Sequence, residues 1–439
     1  MKFSFYNEPF EAEGKKYLYN IFSTALIEVD DELFSAVKSD NTANVNTEYI
    51  EPMKAMHFIV NDEVDEYEEY LYFYNSVRYG NACKILQVIF IPSYNCNLRC
   101  PYCMQGLNKE RKTIDDNGIS AITNFIQNKV SESRSSGVPI SELSIILFGG
   151  EPLIAKKSII KFCETVKETA DKLSCRISFS MTSNFTLVDD EVIEFIQRYN
   201  ITTQVSFDGT KEQHDKSRIG IGGKGTYDVI LSNIKRMNDE GLKNNVVVRL
   251  NIDKNNIQDA EEIMAAVAPY SNDVYFGFVD KFKGSNDAFS ECISNHDYAD
   301  IIDSQLSEIY KKYGYPIPRP FGKMAPCSLN TENRFIIDSE LNVYKCEVIV
   351  NHKDTMAGHI TKDGFFVPSG SFFSQMGHTP ERNPKCLKCK LLPLCGGGCV
   401  AKKYIREDKK DGNFSEVDCF MDEETLLKYL KAYAKRQQQ

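Results

Sequence analysis

The sequence predicts an α/β protein built on a parallel sheet with helices outside it. Six short apolar runs, at 86–91, 143–148, 177–181, 203–207, 246–252 and 274–279, alternate with segments of helical period. Such alternation reads as repeated β-α units with parallel strands. The residues best suited to chemistry follow these runs directly, and parallel α/β folds place their sites at the C-terminal ends of strands. The length of 439 residues, with 42% hydrophobic residues, allows two or three domains with real cores.

The N-terminal segment, residues 1–82, reads as a small mixed α/β module. Residues 17–20 and 25–29 have strand composition and predict a hairpin. Asp30, followed by Asp31 and Glu32, is placed to cap a helix carrying Phe34 and Val37. The acidic, tyrosine-rich run 64–74 predicts a helix with Tyr67, Tyr70, Leu71 and Tyr74 on one face.

Residues 83–310 hold the β-α repeats. Ile119, Ile122, Phe125, Ile126 and Val130 fall on one helical face, as do Ile159, Phe162, Cys163, Val166, Ala170 and Leu173. The series continues with Tyr227, Ile230, Ile234 and Met237, then Ala260, Ile263, Met264 and Val267, and closes on Ile302, Leu306 and Ile309. Cys163 lies on an apolar face and reads as core. Cys83, Cys175 and Cys292 have no ligand-like spacing and read as structural.

The stretch Cys96-Asn-Leu-Arg-Cys100-Pro-Tyr-Cys103 follows the first apolar run. Thiolates are the usual ligands of iron–sulfur clusters. Three cysteines on a four-iron cube leave one iron free to bind a small molecule. A zinc knuckle is the alternative, but no fourth Cys or His stands nearby to complete it. On this spacing the chain resembles the radical S-adenosylmethionine (SAM) enzymes. The resemblance implies a partial (β/α)6 radical SAM barrel across the middle segment. It implies that the free iron chelates S-adenosylmethionine, whose reductive cleavage gives a 5′-deoxyadenosyl radical that takes a hydrogen from substrate.

Further motifs carry the same resemblance. Gly149-Gly150-Glu151-Pro152 follows the second run, and in the family it faces the methionine amino group of the cofactor. Thr182-Ser183-Asn184-Phe185 resembles the family's Thr-Asn-Gly, with Phe185 in place of the glycine. Ser206-Phe-Asp208-Gly209, then His214-Asp215-Lys-Ser-Arg218 and Gly222-Gly223-Lys-Gly225-Thr226, resemble the subgroup that modifies peptides and sulfatases. By that resemblance Tyr102, Gly149, Gly150, Glu151, Ser183, Asn184 and Ser206 bind the cofactor, and Arg218 takes its carboxylate, which suits a planar guanidinium. Taken alone, His214 is as readily an exposed loop residue.

Residues 311–439 hold seven cysteines: Cys327, Cys346, Cys386-x2-Cys389-x5-Cys395-x3-Cys399, and Cys419. Cys386 and Cys389 alone are compatible with a zinc ribbon. All seven resemble the SPASM extension, which carries two auxiliary four-iron clusters, so the resemblance implies three [4Fe-4S] clusters in all. Its interleaved pattern assigns Cys386, Cys389, Cys395 and Cys419 to one auxiliary cluster, and Cys327, Cys346 and Cys399 to the other. Sulfatase maturases supply an eighth cysteine close before the first of the seven. Here 320–326 has none, and Cys292 is the nearest, 35 residues upstream. An open site on the inner cluster is expected, where a substrate thiolate could bind. Leu341 stands where the family has glycine. Glu347 stands where sulfatase maturases have an aspartate base; it is the candidate general base, with a solvated or hydrogen-bonded surface residue as the plainer reading. Residues 422–433 predict a covering helix, with Leu426, Leu427, Leu430 and Tyr433 on one side.

The balance of 52 Lys and Arg against 62 Asp and Glu, a net charge of −10, gives no reason to expect a nucleic-acid or anionic-lipid partner. The sequence has no apolar run of about eighteen residues and no signal-peptide core, so no membrane span and a cytoplasmic protein are expected. Fourteen cysteines in a reducing compartment point to metal or redox chemistry rather than disulfides. The resemblance implies a maturase of ribosomally made peptides (RiPPs). The N-terminal module would recognise the leader of a precursor peptide by strand addition, and an external one-electron reductant would start turnover. The expected reaction is a thioether crosslink: a hydrogen leaves a peptide carbon, a cysteine thiolate of the same peptide bonds there, and an auxiliary cluster accepts the remaining electron. The rivals are an anaerobic sulfatase maturase making formylglycine, a maturase that joins peptide carbons or inverts one, and a metal-bearing scaffold without turnover.

Overall fold

Six parallel strands in chain order form the centre of the molecule, in a computed structural model that describes residues 1–105, 112–279, 291–293, 297, 300–316, 326–350, 352–401, 419 and 421–437. They are β6 (Ile85–Phe90), β7 (Glu142–Leu147), β8 (Arg176–Ser183), β9 (Thr202–Asp208), β10 (Val246–Ile252) and β11 (Asp273–Phe278), after five short N-terminal strands. Each pairs in parallel register with its neighbour, as in Val88↔Ile145 and Ser206↔Arg249. Helices α4 (Asp116–Ser135), α5 (Lys156–Lys172), α6 (Asp190–Tyr199), α7 (Lys211–Ser217), α8 (Tyr227–Asp239) and α9 (Ala260–Val267) make the crossovers, after three N-terminal helices. This is the α/β architecture, a parallel sheet with helical crossovers, expected from the sequence.

The helical periods decide which faces are buried. Ile119, Ile122, Phe125, Ile126 and Val130 of α4 join Ile159, Phe162, Cys163 and Val166 of α5 in one core with Leu86, Val88 and Phe90 of β6. Aspartates start the helices as the sequence rules anticipate. The Asp115 carboxylate accepts from Gly118 N at 2.8 Å, and that of Asp189 from Val192 N at 3.0 Å.

The sheet runs on past residue 310. Strand β12 (Arg334–Ile337) pairs in parallel with β6, and β13 (Asn342–Tyr344), β14 (Gly358–Ile360) and β15 (Phe366–Pro368) follow antiparallel. The first hairpin of the cysteine-rich segment is therefore continuous with the parallel sheet, which fixes its cysteines relative to the barrel.

In the N-terminal module, β2 (Asn7–Ala12), β3 (Lys15–Asn20) and β4 (Leu26–Val29) form an antiparallel sheet, and β1 (Lys2–Phe3) pairs with β5 (Ile59–Val60). The expected hairpin is β3 with β4. Strand β2 and helix α2 (Thr47–Ala55), which has Pro52 inside it, were not foreseen. Asp30 caps α1 (Asp31–Lys38) through Leu33 N at 2.7 Å. Helix α3 (Glu66–Tyr79) begins later and ends later than the expected 64–74. Its Arg78 is buried and donates from Nε to the Asn330 carbonyl at 3.0 Å, binding the module to the cysteine-rich segment. The last helix, Glu423–Gln437, extends beyond the expected 433 and packs Leu426, Leu430 and Ala434 on Tyr6, Phe10 and Tyr17. Among the described residues no helix is long and apolar enough to cross a membrane.

Candidate active site

The three-cysteine loop leaves the end of β6 and is strapped on both sides by backbone. Gly150 N donates to Ser93 O at 3.2 Å and Glu151 N to Asn95 O at 2.7 Å. On the other side Arg99 N donates to Ile219 O at 2.8 Å and Ile221 N to Asn97 O at 2.9 Å. A Cβ on Gly150 would lie 2.3 Å from the carbonyl oxygens of both Tyr94 and Asn95. The glycine pair therefore lets two loops touch as well as exposing backbone to a ligand.

Between these loops lies a cavity of about 250 Å³. Cys96, Cys100 and Cys103 line it, and so do Tyr102, Gly149, Gly150, Ser183, Asn184, Ser206 and Arg218. The structure thus brings together every residue the sequence reading placed there except Glu151. That carboxylate is buried behind the wall and fully engaged: Oε1 accepts from Ser183 Oγ at 2.8 Å and Leu153 N at 3.1 Å, and Oε2 from Asn184 N at 2.6 Å. It ties the end of β8 to the glycine loop. Burial raises its pKa, and the three donors act the other way.

Asn184, Asn97 and Thr186 close a small ring. Asn184 Nδ2 donates to Asn97 Oδ1 at 2.8 Å, Asn97 Nδ2 to Thr186 Oγ1 at 2.8 Å, and Thr186 Oγ1 to Asn184 Oδ1 at 2.7 Å. Asn184 Nδ2 also lies 3.9 Å from Cys96 Sγ, and Leu98 N 3.4 Å from it, so the thiol faces donors. Phe185, which replaces the family's glycine, keeps the left-handed backbone at φ 62° while its ring is fully buried. Leu341 likewise stands at φ 66° where the family has glycine. In both cases the turn survives the substitution, with the strain a non-glycine residue carries there.

At the ends of β9 and β10 a buried polar network faces the cysteines. The Tyr102 hydroxyl donates to Asp208, accepts from Arg218 Nη1 at 2.9 Å, and lies 3.5 Å from Asn251 Nδ2. Asn251 Nδ2 also donates to Asp208 Oδ1 at 2.9 Å. His214 is wholly buried beneath, which corrects the exposed-loop reading. Its Nδ1 accepts from Asp208 N at 3.1 Å, and its Nε2 meets Thr226 Oγ1 at 3.2 Å. The Thr226 hydroxyl donates on to Arg218 O at 2.7 Å. Burial, with the Arg218 charge, pushes the His214 pKa down to about 2, so the ring is a neutral spacer.

Sequence reasoning missed Arg249, Asn251 and Gln105. Arg249 lines the cavity, its guanidinium filling the space where a Gly277 Cβ would stand 2.3 Å from Nε. Gln105 Nε2 holds Gly149 O at 3.0 Å. The available signal was polar residues at alternate positions, Arg249 and Asn251, in an otherwise apolar central strand.

The residues present fit a cluster carrying S-adenosylmethionine. Three thiols line the cavity, and the buried Nε atoms of Arg218 and Arg249 have no hydrogen-bond partner among the described residues, as suits donors awaiting an anion. Burial pushes the Cys100 thiol up to about 12, against the pull of Arg218, so a metal is needed to hold it as thiolate. Among the described residues no group of three His, Cys, Asp or Glu converges on a single metal ion. A four-iron cube does not require that, because each thiolate binds its own iron.

The described C-terminal cysteines lie in two neighbourhoods. Cys327, Cys346 and Cys399 pack around Leu329, Ile349, Val400 and Ala401. Cys386 and Cys389 pack against Tyr70, Tyr74 and Leu392, with Cys395 and Cys419 in electrostatic reach of Cys389. The stretch 320–326, where sulfatase maturases would carry an eighth cysteine, falls almost wholly outside the described residues. Glu347 is ion-paired with Arg334 and is not part of the cavity wall, so the geometry gives no support to its role as general base.

Residues 90–267 match the Radical SAM superfamily. The cysteine-type anaerobic sulfatase-maturating enzyme of Clostridium novyi (strain NT) is 23% identical over 347 residues, 73% of this chain and 89% of that protein. Among solved structures, anSMEcpe with bound AdoMet and the Cp18Cys peptide aligns at a TM-score of 0.59 and 18% identity, over 80% of this chain and 97% of the other. Streptococcus suis SuiB bound to its precursor peptide SuiA aligns at 0.53 and 14% identity, over 96% and 100%.

Proposed function

We propose that this chain, a radical SAM enzyme by its domain and fold, is a cytoplasmic maturase that ties a cysteine of a ribosomally made precursor peptide to a peptide carbon as a thioether. The observation that carries the reading is the pairing of the three-cysteine cavity with a second set, Cys327, Cys346 and Cys399, which among the described residues of that cluster supplies three thiols where a four-iron cluster has four irons. A peptide thiolate is the matching fourth ligand. The peptides bound to anSMEcpe and SuiB support a peptide substrate. The edge of β4, paired only with β3 among the described residues, suits strand addition by a leader.

Cys96, Cys100 and Cys103 would hold the first cluster, and S-adenosylmethionine in the same cavity would supply, with one electron from an external reductant, the hydrogen-abstracting chemistry. The protein's part is placement. Arg218 and the Gly149–Gly150 backbone hold the cofactor's polar ends, and Tyr102 and Asp208 fix Arg218. Glu151 locks the glycine loop to Ser183 and Asn184. Overall, one C–H and one S–H become one C–S bond, S-adenosylmethionine becomes methionine and 5′-deoxyadenosine carrying the hydrogen from carbon, and the thiol's hydrogen leaves as a proton. The electron supplied at the start is recovered at the end.

The test is anaerobic turnover with a cysteine-bearing precursor peptide encoded beside this protein. A thioether maturase yields product lighter by two hydrogens, with one thiol no longer alkylated and one 5′-deoxyadenosine per crosslink. The similarity to sulfatase-maturating enzymes favours one second reading, oxidation of a cysteine to formylglycine, in which sulfur leaves the peptide and an aldehyde reactive to hydrazides appears.

A further inference from the structure

Helix α3 carries Tyr67, Tyr70 and Tyr74 on one face, three and four residues apart. The Tyr70 and Tyr74 rings are wholly buried and pack with Leu392, and Tyr67, Cys386 and Cys389 join them. All three hydroxyls are buried without a hydrogen-bond partner among the described residues. A phenylalanine would fill the same space without stranding a hydroxyl, and buried polar groups are nearly always satisfied. Three stranded donors on one face imply an acceptor there. The Tyr70 hydroxyl lies in electrostatic reach of the Cys395 and Cys386 sulfurs, and that of Tyr67 in reach of Cys386. Glu381 Oε2, also unpartnered among the described residues, acts on Tyr67 and Tyr74, whereas the larger charges acting on Tyr70 include the Cys395 and Cys386 sulfurs.

We propose that the Tyr70 hydroxyl, and with it that of Tyr67, donates a hydrogen bond to sulfur of an iron–sulfur cluster held by Cys386, Cys389, Cys395 and Cys419, so that α3 sets the cluster's reduction potential. This rests on reading the C-terminal cysteines as a cluster site. A hydrogen bond to cluster sulfur offsets the extra negative charge of the reduced state and raises the potential. Helix α3 belongs to the N-terminal module, so the module expected to hold the leader also forms the wall of a site expected to carry the substrate's electron.

The test uses the full chain with Cys96→Ala, Cys100→Ala and Cys103→Ala, which leaves only the C-terminal array to bind iron. Iron and zinc are measured first. The reduced-cluster signal that a further Cys389→Ala change abolishes is then titrated by paramagnetic resonance. Tyr70→Phe should retain the iron and lower the midpoint by a tenfold change in the reduction equilibrium, ~59 mV for one electron. Tyr67→Phe should shift it in the same direction by less and serves as the readout where Tyr70→Phe loses iron. Iron retained with an unchanged midpoint in both variants overturns the proposal and leaves the cluster reading standing. Zinc, or no metal, in the array overturns both, and the metal analysis shows this before any titration.

Discussion

Arg218 Nη1 and the Tyr102 hydroxyl meet at 2.9 Å, joining the cysteine loop after β6 to the segment after β9 across the wall of the cavity. The hydroxyl donates onward to Asp208, so one phenol orients both an arginine and an aspartate. Tyr102→Phe should leave buried charged groups short of a partner, at ~1–3 kcal/mol. The melting temperature of the anaerobic protein should fall, and S-adenosylmethionine should bind more weakly by calorimetry. An unchanged melting temperature would mean that the phenol holds nothing together.

Gly150→Ala places a Cβ 2.3 Å from two carbonyl oxygens of the cysteine loop. Backbone cannot yield as a side chain can, so the loops must part, and overpacking of this kind costs about 1–3 kcal/mol. The variant should purify with iron lost from the barrel site. Gly222→Ala, in open space, is the control and should retain wild-type iron and stability.

Much of this site is legible in the sequence because its parts are local. The cysteine spacing, the glycine pair and the sites of helix capping are fixed by residues a few positions apart, and the strands that carry them announce themselves by apolar runs. Arg249, by contrast, takes its meaning from Gly277 on the next strand. The burial of His214 depends on Phe207 and Tyr227, whose ring centroids lie 4.8 and 5.6 Å away. Glu347 is spoken for by Arg334, thirteen residues earlier on a strand whose pairing is not visible locally. Phe185 and Leu341 show that a backbone turn can outlive the glycine that usually signals it.

His214 gives a pH signature. Its folded pKa is depressed to about 2 from the ordinary 6.5, so between those values the unfolded chain carries a proton that the folded chain does not. Stability therefore rises with pH through this window, by about 1.4 kcal/mol per pH unit from this group, and levels off above the ordinary value. His214→Gln should be less stable at neutral pH and should lose that part of the slope. Denaturant melts of both proteins between pH 5 and 6.5 measure it. Parallel slopes would show that the ring is protonated in the folded state.

The proposed function requires that one chain join a radical SAM site to a C-terminal array of iron–sulfur clusters. Iron, acid-labile sulfide and zinc per chain, on anaerobically prepared protein, test it most directly. Three four-iron clusters predict about 12 irons with as many sulfides and no zinc. About 4 irons with zinc present would make the array a structural zinc module. That result would remove the thiol-capture reaction and leave only the radical core.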